Sequence, residues 1–227
     1  MQENGFEIYI LIPNDGFLGQ VKDIYQDAII IEVPIKREIS LYYDLKALFK
    51  VIRIFNEFKF DIIHLHTPKA GLIGTLAAKM LLHKRVIFHL HGLVSIKYNK
   101  LLNGLTLTME RIPLLLSDKV ISVSDSLKEL CIKERLIKRE KITTLSNGSI
   151  NGVDALHNFN PFNTKVQSNQ LKKDYRMDNE FVIGFLGRIN NDKGLVDIIN
   201  ALNLLPKFNY KVVLVLVGPI ETDFDLD

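Results

Sequence analysis

Cysteine occurs once in the 227 residues, at Cys131. A single thiol excludes an internal disulfide and any cysteine-cluster metal site, and it fits a reducing compartment. Long apolar runs are missing too, none reaching the length that crosses a bilayer. The N-terminal MQENGFEIYILIPNDG has neither a basic start nor a small-residue cleavage site, so it does not read as a signal peptide. A cytoplasmic location is the expectation. Charge of one sign is also scarce, with a formal net charge of +3. Residues 1–150 hold 21 Lys and Arg against 16 Asp and Glu, whereas residues 151–227 hold 8 against 10. So small a basic surplus suits peripheral contact with an anionic membrane leaflet and argues against a nucleic-acid partner, since no recognisable binding module accompanies it.

What is present is an alternation. Apolar runs of strand length at 5–13, 28–33, 60–65, 85–90, 119–123 and 141–145 are separated by segments with apolar residues at helical spacing over 42–58, 70–82, 105–116 and 127–135. Short strands alternating with helices predict a doubly wound, mostly parallel α/β sheet covered on both faces. The run SNGSINGVD followed by HNFNPFNT is dense in Asn, Gly, Ser and Pro and reads as a connector. Beyond it a second alternation has only a strand at 181–186, a helix at 195–205 and a strand at 211–217. The expected division is a Rossmann-like domain over 1–155, a linker over 156–180 and the beginning of a second Rossmann-like domain over 181–227. Three elements leave a strand edge and an apolar face with nothing to pack against, so the second domain is expected to be incomplete.

The stretch FVIGFLGRINNDKG ends a strand and opens a helix. Ligands of such units bind beyond the carboxyl ends of the strands, where the next helix offers unpaired N–H groups. Arg188 and Lys193 sit there as a planar fork and a mobile point charge, which suits a diphosphate, and Gly187 and Gly194 permit close backbone approach. The alternative is that both cations are solvated loop charges. In the first domain two strands end in similar motifs, HLHTPKAG and HLHGL. The reading sends the two histidines of each strand end to opposite faces, making His64 and His89 packing residues and leaving His66 and His91 where a ligand would sit. On that separation, and with no Asp, Glu or Cys to complete a set, no metal site is expected. The basic helix over 124–141 and the stretch Lys97 to Leu102 read as solvated charge or as membrane-surface contacts.

HTPKAGLIGTLAAK (66–79), HLHGL (89–93), VISVSDSLKEL (120–130), NGVD (151–154), GFLGRINNDKG (184–194) and VLVGP (215–219), in that order, resemble the GT-B glycosyltransferases of family 4, in particular bacterial enzymes that extend lipid-linked polysaccharide precursors. The resemblance implies two Rossmann-like domains, a nucleotide-sugar donor held mainly by the second, and retention of anomeric configuration without a carboxylate nucleophile. By resemblance Arg188 and Lys193 grip the donor diphosphate in place of a metal. His91 is the catalytic-site histidine that meets the transferred sugar, with Gly92 allowing close approach. Gly187 and Gly218 belong to the nucleotide side, and His66, Thr67 and Lys69 line the acceptor side. No cofactor is implied beyond the nucleotide sugar as co-substrate, expected to be a UDP-sugar, with a lipid-linked or growing saccharide as acceptor. Relative to that family the chain is expected to start after a first strand and its glycine-rich loop, and to stop before a paired-glutamate segment. The alternatives are an inactive truncated remnant that binds nucleotide weakly, and a sugar-nucleotide epimerase on the same fold.

Overall fold

The computed structural model describes residues 4–13, 16, 18–36, 38–93, 100–150, 152–160, 162, 172–175, 177, 179–190, 193–206 and 211–220. Much of the expected linker, the acidic tail at 221–227 and the membrane-surface candidate at Lys97 to Asn99 lie outside the described residues. The chain divides into two compact units, Met1–Gly152 and Val153–Asp227.

In the first unit β1 (Tyr9–Ile12), α1 (Leu18–Ile24), β2 (Ile29–Glu32), α2 (Leu41–Phe58), β3 (Ile63–His66), α3 (Pro68–Met80), β4 (Val86–Leu90), α4 (Lys100–Leu116), β5 (Lys119–Ser122), α5 (Asp125–Lys133) and β6 (Ile142–Thr144) follow in order. All the pairings are parallel, as the alternation predicts, but the strands form two hydrogen-bonded sheets, β1–β2 and β3–β4–β5–β6. The sequence reading has no helix at α1, a seven-residue helix with no fully buried residue, whose apolar stripe of Leu18, Val21 and Ile24 is too short to stand out.

Local sequence accounts for the helix ends. Ser40 precedes α2 with an extended backbone, and its N–H donates to Asp44 Oδ2 at 3.2 Å. The buried face of α2 is Ala47, Val51, Ile54 and Phe55, one turn apart or nearly so, and Lys59 stops the helix in the left-handed conformation. Ser124 caps α5 as expected, its Oγ accepting from Leu127 N–H at 3.2 Å. Asp118 Oδ2 accepts from Val86 N–H at 2.9 Å and also pairs with Lys79, tying the start of β4 to α3 and β5.

Helix α3 packs between α2 and α4 and lies against β3 and β4. Its approach is close because two of its positions have no Cβ. A methyl on Gly71 would lie 2.5 Å from the Phe88 ring, and one on Gly74 would lie 2.3 Å from Leu65 Cδ2. The residues so contacted belong to a single core that runs from Val33 through α2, β3, α3, β4, β5 and α5 to Ile142. Cys131 is fully buried in that core, and burial pushes its thiol up to about 11, so it is inert.

The second unit contains β7 (Phe181–Leu186), α6 (Leu195–Asn203) and β8 (Val212–Val217), with β7 and β8 parallel and prolonged by a bridge between Ile189 and Ile220. Just past the strand ends the backbones nearly touch. A Cβ on Gly218, whose φ is 150°, would sit 1.8 Å from the Gly187 carbonyl oxygen. Only glycine fits there.

These contacts separate three glycines by urea-unfolding midpoint. Gly74→Ala should destabilise the first unit by about 1–3 kcal/mol, the usual cost of overpacking. Gly218→Ala should cost the second unit more than Gly74→Ala costs the first, because carbonyl backbone cannot rotate away as a side chain can. Gly92→Ala, where a Cβ would meet nothing within 4 Å, should stay within about 0.5 kcal/mol of the parent.

Candidate functional site

The carboxyl ends of β3 and β4 carry the site of the first unit. Ile63 pairs with Val86, Leu65 with Phe88 and His66 with His89 across the parallel ladder. Leu65 and Phe88 point at α3, so their neighbours in each strand must point the other way. His64, His66, His89 and His91 therefore share one face. This corrects the expectation that the histidines of each pair part company: residues i and i+2 of a strand fall on the same side, and the separation inferred from HLH was a miscount of the pleat.

The result is a continuous cluster of imidazoles. Ring centroids lie 4.4 Å apart for His64–His66, 5.2 Å for His66–His89, 4.9 Å for His89–His91 and 5.3 Å for His66–His91. His66 Nδ1 and His91 Nε2 are 3.0 Å apart, a hydrogen bond in which one ring carries the proton. Mutual packing desolvates the rings, and each repels a second positive charge among its neighbours. Desolvation first, then the nearby His64, His89 and His91, hold His66 down to about 4. His64, His89 and His91 are also held below the usual imidazole value, in each case chiefly by burial. At neutral pH the face is uncharged, able to donate and accept hydrogen bonds but not to bind an anion by charge.

Thr67 follows at φ 65°, ψ 152°, a region that glycine enters freely and a β-branched residue does not. Pro68, first residue of α3, requires the extended ψ that Thr67 shows. The strain sits directly after His66, where strained backbone commonly marks a working site. Lys69 turns elsewhere. Its Nζ pairs with Asp44 at 2.7 Å and donates to the Glu38 carbonyl, so it fastens the start of α3 to α2 and the segment before it. Gly92 leaves open space beside His91. The structure thus brings together His66, Thr67, His91 and Gly92, adds His64 and His89, which the sequence pattern assigns to packing, and gives Lys69 an ionic partner in Asp44.

In the second unit Gly187 and Arg188 follow β7 directly, Arg188 with an exposed side chain. Lys193 is also exposed, its N–H donating to the Asn190 carbonyl at 3.3 Å, and it stands just before α6. The first residue before that helix, Gly194, takes the left-handed conformation at φ 71° and offers no side chain as a cap. Ile189, Asn190 and Leu195 are buried and anchor the loop between them. Two exposed cations thus lie on the segment that leads from the carboxyl end of a parallel strand to a helix start with no side-chain cap.

The family model described as Glycosyltransferase Family 4 matches residues 1–149. The chain belongs to that family. It is 35% identical over 229 residues to the capsular polysaccharide biosynthesis glycosyltransferase CapM of Staphylococcus aureus, covering all of this chain and 58% of that protein. It is 28% identical over 242 residues to a UDP-Gal:alpha-D-GlcNAc-diphosphoundecaprenol alpha-1,3-galactosyltransferase of Escherichia coli, covering all of this chain and 60% of that protein. The family-4 chain thus spans less than two thirds of the length of these relatives. Among solved structures it is similar to Anabaena Alr3699/HepE in complex with UDP and glucose, with a TM-score of 0.66 at 17% identity over 96% of this chain and 62% of that one. A glycosyltransferase from Rickettsia africae gives 0.66 at 19% identity over 94% and 53%. The fold is accordingly the α/β, GT-B type that the sequence implies.

The histidine face should make stability depend on acid. Because the folded cluster holds protons more weakly than a free imidazole at 6.5, the unfolded chain binds more protons between pH 6.5 and about 4. Stability should be level above that window and fall as pH drops through it. His66→Gln should flatten the slope of urea midpoint against pH, measured in the presence of a chelator, and an unchanged slope would remove His66 from the titrating cluster. Thr67→Gly should raise the unfolding free energy by about 1 kcal/mol, read as a higher urea midpoint, by relieving the positive φ.

Proposed function

We propose that the family-4 chain is part of a retaining glycosyltransferase that moves a sugar from a UDP-sugar to a lipid-linked or growing saccharide in cell-surface polysaccharide biosynthesis. The observation that carries this reading is similarity along the entire chain to a capsular polysaccharide glycosyltransferase, and the chemistry of the candidate residues in each unit supports it. Arg188 and Lys193 supply positive charge where the donor diphosphate would leave. His91, neutral and hydrogen-bonded to His66, stands beside the open space at Gly92, where a sugar hydroxyl could be met by an imidazole without a charge clash. Thr67 and His66 complete the acceptor side, and Lys69 supports them by fixing the start of α3 to Asp44.

In this reading an acceptor hydroxyl oxygen bonds to the anomeric carbon while the bond from that carbon to the diphosphate oxygen breaks. The electron pair leaves with UDP, and the hydroxyl proton passes to an oxygen of the departing diphosphate. The largest stabilisation available is cationic charge aimed at that developing negative charge. No metal is needed for the step. Contact with a membrane leaflet would follow from a lipid-linked acceptor and the basic first unit, with the protein working at the cytoplasmic face. No helix among the described residues is long and apolar enough to cross a membrane.

An epimerase is the competing reading, favoured by similarity to a UDP-N-acetylglucosamine 2-epimerase from Rickettsia bellii, with a TM-score of 0.51 at 12% identity. One assay distinguishes the two. The complete protein, given labelled UDP-sugars with and without a lipid diphosphate-linked saccharide, should move label only when the acceptor is present. Interconversion of a UDP-sugar without acceptor would instead establish the epimerase. Under the transferase reading Arg188→Ala and Lys193→Ala should each cost about 2–4 kcal/mol of transition-state stabilisation, and near-parental turnover in both would sink the diphosphate assignment.

A further inference from the structure

Sugar transfer gives His64 and His89 no task, yet these two complete the imidazole face. His89 is only 8% exposed, and neither of its ring nitrogens has a hydrogen-bond partner among the described residues. A buried imidazole with both nitrogens unanswered is a donor group awaiting a ligand or water. Its neighbours are of one kind. One ring nitrogen from each of His64, His66 and His89 falls within 4.8 Å of the other two.

We propose that His64, His66 and His89 form a binding site for a late first-row divalent cation, with Zn2+ as the reference ion. The donor set consists of three imidazoles, which suits Zn2+, Ni2+ and Cu2+ and does not suit Mg2+ or Ca2+, whose hard shells require oxygen. Zn–N bonds of about 2.0–2.1 Å set tetrahedral ligand nitrogens roughly 3.3 Å apart, so the widest pair has to close by roughly 1.5 Å. That movement is available, because His64 and His66 have exposed side chains that can rotate toward the buried His89. Three protein ligands leave a fourth position for water.

The hydrogen bond from His66 to His91 fits the same site. With His66 Nδ1 engaged by His91 Nε2 at 3.0 Å, His66 Nε2 is the nitrogen left to ligate. A ligating histidine commonly donates its other N–H to a fixed partner, which sets the tautomer and orients the ring. His91 is then a positioning residue for the metal, acting through His66. The site shares His66 and His91 with the proposed acceptor side, but metal binding is measured without sugar transfer, so its failure and the failure of that reading are distinguishable.

The test is calorimetric titration of the full chain, stripped with chelator, with Zn2+ at neutral pH, together with Co2+ as a visible-absorption probe. Expected are one Zn2+ per chain, the intense bands of four-coordinate Co2+, and a rise in Tm with Zn2+ that EDTA reverses. His64→Gln and His66→Gln should abolish the bands and weaken binding by well over tenfold, whereas His91→Gln should weaken it about tenfold through the lost orientation of His66. His157→Gln, in the other unit and paired with Asp154, should leave binding unchanged. Both ligand variants alter exposed residues, and circular dichroism would verify that they fold. Absence of stoichiometric binding, binding unchanged in His64→Gln and His66→Gln, or the weak bands of six-coordinate Co2+ would each overturn the site.

Discussion

The contact on which the first unit depends is the flush seating of α3 on β3 and β4, made where Gly71 meets Phe88 and Gly74 meets Leu65. Once those two side chains are claimed by the helix, the pleat leaves their neighbours no choice of direction. The histidines are displayed because Leu65 and Phe88 are buried. The histidine face is thus the complement of the packed one, and a substitution in α3 far from the imidazoles would still tilt them.

The two units present opposite electrostatic characters. Around β3 and β4 the titratable groups suppress one another and stay neutral, whereas two exposed cations lie between β7 and a helix start with no side-chain cap. A sugar with its hydroxyls suits the first environment and a diphosphate the second. Under the proposed function this contrast would divide the labour between the units, the first meeting sugar and the second meeting diphosphate.

Much of this was legible in the sequence, because it rests on short-range signals. The elements from 28 to 144 follow from apolar runs and helical spacing, and Ser124 announces its cap. The order of six weak motifs pointed to the family that the comparisons establish. What escaped was of two kinds. Helix α1 spans only seven residues, so its periodic trace of Leu18, Val21 and Ile24 is too short to separate from the loops around it. Long-range pairing was invisible as well: nothing in HTPKAG states that Lys69 will meet Asp44, 25 residues earlier in the chain, or that β1–β2 will stand apart from β3–β6. The histidine face was a different failure, since its signal, two HLH repeats of period two, was present and was read with the wrong parity.

The four-stranded sheet has its strands in chain order, β3–β4–β5–β6, each hydrogen-bonded to the one before it. An arrangement of this kind can grow during synthesis. Every strand after β3 finds its template edge already made as it leaves the ribosome, and no gap has to be held open for a segment still to come. Parallel pairing is slow when partners are far apart in the chain, and here each partner is one helix away. Vectorial assembly would therefore complete the histidine-bearing edge, β3 with β4, before the rest of the sheet exists, so the imidazole face is also the first part of that sheet to acquire its shape.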